Sequence, residues 1–256
     1  MIQIFDHPFI LFLVFLFAQW AAAYSGDFFR RTWPPGKSER DDFDTVLTAT
    51  LTLLGLIIGF SFSMAVSRYD QRKNYEEVEA NAIGTEYARA DLLPADDGIK
   101  VRQLLRRYVN QRILFYRGDQ PNIGDAATDA QKLQAELWSS VVHAATVQST
   151  PVAALAVSGM NDVLNSQGYT QAAWWNRIPV AAWALMGLIS IVSNLLLGYR
   201  ERSSGFLVLL VVPVVASIAF FLIAEIDSPG GGFIRVIPHN LIAVAESISA
   251  GESASP

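Results

Sequence analysis

Apolar and polar stretches alternate along this chain in long blocks. Four apolar blocks carry no Lys, Arg, Asp or Glu: Pro8 to Tyr24, Val46 to Val66, Ile178 to Tyr199 and Gly205 to Ala224. Each lies near the roughly 20 residues that an α-helix needs to cross a bilayer core. Trp20 and Tyr24 close the first block, Trp174 and Trp175 precede the third, and Tyr199 ends it. Amphipathic rings of this kind collect at lipid–water boundaries. The first block ends in "AAAYS", which resembles a signal-peptide cleavage site. The preceding "MIQIFDH" has no basic residue, so the block is expected to be a retained span.

Between the second and third blocks, residues 67–177 are polar, with 12 Lys or Arg and 13 Asp or Glu. No Pro separates the second block from the charged run that follows, so residues 68–93 are predicted to continue its helix. "LPADDG", 93–98, reads as a break. A second helix is predicted over 99–117, with Val101, Leu104, Leu105 and Tyr108 on one face. Arg102, Arg106, Asn110 and Arg117 fall on its other face. "GDQPNIGD", 118–125, is a loop by its Gly, Pro, Asn and Asp content. A third helix is expected over 128–150, ending before Pro151, and a shorter fourth over 152–166. No segment alternates as a strand does. "PGGG", 229–232, is a turn; 233–250 predicts an amphipathic helix lying on the membrane or a neighbouring subunit, and "GESASP" a tail.

The fold class is therefore an all-α integral membrane protein: four transmembrane helices with a long helical extramembrane insert between spans two and three. The expected divisions are a first transmembrane hairpin at 1–66, the insert at 67–177, a second hairpin at 178–224, and a membrane-surface segment with the tail at 225–256.

Composition narrows the chemistry. The chain has 256 residues, 52% hydrophobic and 17% charged, which is poorer in charge than soluble domains. Its formal net charge of -5 disfavours nucleic-acid partners. Without cysteine there is no disulfide, thiolate site or cysteine nucleophile. His7, His143 and His239 are too scattered for a metal-ligand pattern. No G-x-S-x-G, P-loop or G-x-G-x-x-G occurs, so neither an enzyme nor a cofactor is expected.

The second block holds the main candidate site. Thr48, Thr52, Gly55, Gly59, Ser63 and Ser67 recur at steps of three or four and so form one stripe on a helix. Gly55 and Gly59 make a G-x-x-x-G, a spacing that permits close helix approach. The stripe is either a packing seam between spans or a face turned toward a central axis, with room for ions. Beyond it, Arg68, Arg72, Lys73, Glu76 and Glu77 are candidate vestibule charges. Arg72–Glu76 and Lys73–Glu77 have i,i+4 spacing and also suit a solvated helix.

Phe60, Phe62, Arg68, Tyr69, Asp70, Arg72, Lys73 and Tyr75 form a Phe-rich exit followed by Arg-aromatic-acidic and Arg-Lys-x-aromatic. This arrangement resembles bestrophin-type anion channels. Bacterial bestrophin-like membrane proteins resemble the chain over nearly its whole length, including "GYRER" at 198–202 and "IDSPGGGFIRV" at 226–236. The resemblance implies a homo-oligomer, a pentamer in bestrophins, with a pore lined by the second span and inorganic anions as the permeant species. Phe60 and Phe62 are then the candidate constriction, although they point to different faces. The acidic calcium clasp expected after the fourth span is absent, so calcium gating is not implied. The alternative function is a non-conducting scaffold or sensor whose insert binds a partner or ligand. Multi-pass residence in the inner (plasma) membrane is expected. For sidedness, Arg30, Arg31, Lys37, Arg40, Arg200 and Arg202 outnumber Arg68, Arg72, Lys73 and Arg177, which votes for a cytoplasmic 25–45 loop. Bestrophins instead keep the insert in the cytoplasm.

Overall fold

The computed structural model describes residues 7–34, 36–118, 123–200, 206–230 and 232–253. Residues 119–122 of the expected loop, Arg202, residue 231 of the turn and 254–256 of the tail lie outside the described residues. The helices are α1 (Pro8–Thr32), α2 (Lys37–Arg89), α3 (Ala95–Arg117), α4 (Ile123–Val147), α5 (Ala153–Trp175), α6 (Val180–Arg200), α7 (Phe206–Asp227) and α8 (His239–Ser253). A 3-10 turn at Ala90–Leu92 follows α2. No strand occurs among the described residues. Among the described residues four helices are long and apolar enough to cross a membrane, so the all-α, four-span class predicted from the sequence is what the chain adopts. At 1.5 Å per residue the 53 residues of α2 reach about 80 Å. A hydrocarbon core is only about 30 Å thick, so α2 must continue well outside it.

The chain forms two compact units. One comprises Met1–Tyr69 with Asn176–Arg235, the other Asp70–Trp175 with Val236–Pro256. In the first, α1 packs on α6 and α7. Pro8 occupies the first turn of α1, where a missing N–H costs nothing. The core joins Leu11, Leu54, Ala65, Trp183, Met186, Phe220 and Ile223. Phe15 stacks edge-on against Phe220, with ring centroids 4.8 Å apart.

Helices α1 and α6 cross with backbone against backbone. A Cβ on Gly26 would overlap the carbonyl oxygen of Leu195, and one on Gly198 would overlap that of Ala23. In the same interior, Asn194 Nδ2 donates to Gln19 Oε1 at 3.1 Å, and Gln19 Nε2 donates to Ser217 Oγ at 3.2 Å. Interhelical hydrogen bonds satisfy polar groups that lipid cannot serve.

In the second unit the predicted face Val101, Leu104, Leu105 and Tyr108 is buried, as are Leu137 and Val141 of α4 and Met160 and Val163 of α5; α3 packs on α4, and α4 on α5. Two helices are longer than their patterns implied. Helix α3 starts at Ala95 because Pro94 is extended rather than helix-ending, and Asp96 and Asp97 suit the positive end of the helix. Helix α5 runs on from the expected end at Ser166 to Trp175. No proline interrupts it before Pro179. Helix α3 ends at Gly118, whose φ of 72° suits a residue without a Cβ; its N–H bonds back to Phe115.

Candidate functional site

The exposed side of α2 in the first unit is built by its own periodicity. Leu47, Leu54, Ser61 and Ala65 recur on the buried face. At 100° per residue the opposite face carries Thr48, Thr52, Gly55, Gly59, Ser63 and Ser67, and all six are exposed. A Cβ on Gly55 or on Gly59 would meet nothing within 4 Å. The stripe is therefore not a seam with the chain's own spans. The seam that does exist uses Gly26 and Gly198, which lie outside this motif.

Thr48 and Thr52 donate their hydroxyls to the carbonyls of Asp44 and Thr48, both at 2.8 Å. Their oxygens remain available as acceptors. Phe60 is 65% exposed and Phe62 41%. They flank the stripe on opposite sides rather than standing on it.

Charges predicted to lie together are separated by packing. Arg68 is half-buried in the first unit, its guanidinium 3.5 Å from Asp227. Asp227 in turn accepts the Ile178 N–H at 3.0 Å, just before α6 begins. In the second unit Arg72 and Glu76 are fully buried. Glu76 accepts from Asn240 Nδ2 at 2.7 Å and from the Leu241 N–H at 2.9 Å. A carboxylate there satisfies an orphan donor and the dipole at the N-terminus of α8. Only Lys73 and Glu77 of the five stay exposed.

The same buried side of α2 continues with Glu79 and Glu86, to which sequence reasoning assigned no packed role. Glu79 pairs with Arg112 of α3 through Nε and, at 3.2 Å, through a terminal nitrogen. It also accepts from Thr170 Oγ1 at 3.2 Å and Tyr116 Oη at 3.5 Å. The Phe115 ring covers the Arg112 guanidinium at 4.4 Å. Burial first, and the Glu79 charge second, push the Tyr116 hydroxyl well above the usual tyrosine range. The signal for this cluster was present in the sequence. Arg112 lies four residues after Tyr108 and seven after Leu105, on the apolar face of α3.

These features define a helical, multi-pass membrane protein with a packed, ion-paired helical insert. A family model for the Bestrophin-like domain matches residues 16–241, and the chain belongs to that family. Its fold is similar to the crystal structure of a bacterial bestrophin homologue from Klebsiella pneumoniae. That similarity has a TM-score of 0.67 at 14% identity, over 97% of this chain and 99% of that one. A single-substitution variant of the same homologue gives 0.66, again at 14% identity and over 97% and 99% of the two chains. A further crystal structure, described only as a membrane protein variant, gives 0.67 at 13% identity, over 96% and 98%. No curated protein matches the chain.

Proposed function

We propose that the chain assembles into a homo-oligomeric ion channel, a pentamer as the resemblance implies, in the inner (plasma) membrane. The Thr48–Ser67 stripe of α2 faces its axis and Phe60 and Phe62 pack beside the narrowest part. Family membership supports an ion channel. The observation that carries the assignment to α2 is the open space over Gly55 and Gly59. A face of Gly, Ser and Thr offers lipid little contact, but it allows a second chain close approach or leaves room for a hydrated path. Pore width and dewetting then govern passage as much as charge does. The stripe has no carboxylate to repel anions, and inorganic anions are the proposed permeant species.

A second reading, cation passage, draws on one observation. On the exposed side of α2 in the second unit, Asp70 and Glu77 outnumber Lys73. Reversal potentials under asymmetric salt separate the two. Liposomes holding the purified protein should release chloride, and Ser63→Asp should lower the chloride-to-cation permeability ratio about tenfold, because a ring of carboxylates repels anions at close range. If wild type gives no flux above empty liposomes, the non-conducting scaffold takes the place of the channel. If it conducts and Ser63→Asp leaves selectivity unchanged, the pore is not lined by α2.

Self-association is tested separately by light scattering in mild detergent and nanodiscs. Wild type should be oligomeric, and Gly55→Leu/Gly59→Leu should shift it toward smaller species by blocking close approach. A strictly monomeric wild type would remove the axis altogether.

A further inference from the structure

A groove of about 370 Å³ lies between α2 and α5 in the second unit, lined by Asn81, Thr85 and Arg89 from α2 and by Asp162 and Asn165 from α5, among others. Its floor has an unusual composition. Gly159 of α5 leaves a hollow, and both the Glu86 carboxyl and the Arg89 guanidinium project into it; a Cβ on Gly159 would overlap both. Glu86 is completely buried, yet neither of its carboxyl oxygens has a hydrogen-bond partner among the described residues. The Arg89 guanidinium reaches the same hollow without a hydrogen bond to either of these oxygens. A buried carboxyl without donors is costly as an anion.

We propose that this groove binds a small organic carboxylate on Arg89, and that it does so only while Glu86 is protonated. Glu86 stands three residues before Arg89 on α2, close enough to take the guanidinium when ionised. The neutral acid leaves Arg89 to the solute. A planar guanidinium fork matches a carboxylate with two parallel bonds. Asn81, Thr85 and Asn165 add neutral donors. The volume is in the range of small-molecule pockets and exceeds what a lone halide fills. Asp162, exposed at the groove, disfavours a polyanion and points to a monocarboxylate.

The charge balance around Glu86 sets the pH range. Burial pushes its carboxyl up to about 8; Arg89 of α2 opposes this and Asp162 of α5 adds to it. The folded-state value is raised, so the proton is held below it and lost as pH rises through about 8. Binding should weaken in the same direction. Well above that value little Glu86 remains protonated, and apparent affinity should fall at least severalfold with the protonated fraction.

The test uses the full-length protein in nanodiscs, with benzoate and acetate as probes and saturation-transfer NMR as the readout. Wild type should bind at about pH 6 and lose affinity at least severalfold by about pH 9.5. Glu86→Gln should bind equally at both, since it cannot ionise. Arg89→Gln should not bind at either. If Arg89→Gln fails to fold, Asn165→Leu on the lining should weaken binding about tenfold, the value of one donor to a charged group. The proposal is overturned by absence of binding in wild type at the lower pH, by unchanged binding in Arg89→Gln or Asn165→Leu, or by a pH dependence that survives Glu86→Gln. None of these outcomes depends on whether the protein conducts ions.

Discussion

Gly198→Leu should abolish the folded four-span unit. At this position α6 meets the main chain of α1, and a Cβ would overlap the Ala23 carbonyl oxygen. A main-chain atom cannot rotate aside as a side chain can, so α1 must move as a body. The reciprocal contact of Gly26 with Leu195 and Tyr199 opposes that movement, and Ala22 and Ala23 are already buried there. Overpacking typically costs 1–3 kcal/mol even where side chains can yield, and a leucine against backbone should exceed about 3 kcal/mol. The purified protein should lose its monodisperse peak in size-exclusion chromatography. Gly198→Ala places the same Cβ on the Ala23 carbonyl oxygen, so it should already shrink the peak and lower the melting temperature, at roughly 2–4 °C per kcal/mol for a chain of this size. Gly55→Leu is the internal comparison: nothing of its own chain lies within 4 Å, so the chain should still fold. A Gly198→Leu protein as stable as wild type would show that α1 and α6 do not cross in backbone contact.

Arg112→Leu should destabilise the second unit by about 3–5 kcal/mol, because it leaves the Glu79 carboxylate buried without its counter-charge. Glu79 is completely buried and its remaining partners are two hydroxyls, Thr170 and Tyr116. Glu79→Leu should cost a similar amount by stranding the guanidinium, which the Phe115 ring would still face at 4.4 Å. The double variant Glu79→Leu/Arg112→Leu should recover most of the loss, since an apolar pair of similar volume often replaces a buried ion pair at little cost. Thermal unfolding of the three proteins gives the coupling directly. If the single losses simply add in the double variant, the two groups do not act as a pair. Glu79→Gln should also bring the Tyr116 hydroxyl down toward the ordinary tyrosine range, because the Glu79 charge contributes to holding it up; absorbance titration of the phenolate reads this.

Much of the architecture was legible before any coordinates. Charge-free runs near the length of a bilayer crossing marked the spans. The unbroken passage from "GFSFSMAVS" into "RYDQRKNYEE" marked α2 as one helix, because nothing between them stops an i→i−4 ladder. The Val101–Tyr108 face announced a buried side of α3, since a helix with one apolar stripe buries that stripe.

Periodicity states which residues share a face of a helix; it does not state which face acquires a neighbour. Both sides of the second span are free of charge, so the sequence by itself left the Gly55/Gly59 stripe open between seam and axis. The tertiary structure placed Leu54 and Ala65 inward and the stripe outward, and it formed the close crossing at Gly26 and Gly198 instead. The acidic turn after the span behaves in the same way. Glu76, Glu77 and Glu79 are chemically alike and adjacent in sequence, yet Glu77 is exposed while Glu76 caps α8 through Asn240 and Glu79 pairs with Arg112. Composition and local spacing determined the spans, the long helix and the helical insert. Only the tertiary structure decided that Glu76 and Glu79 are buried, because their partners come from segments 33 to 165 residues away in the chain, and no local pattern records them.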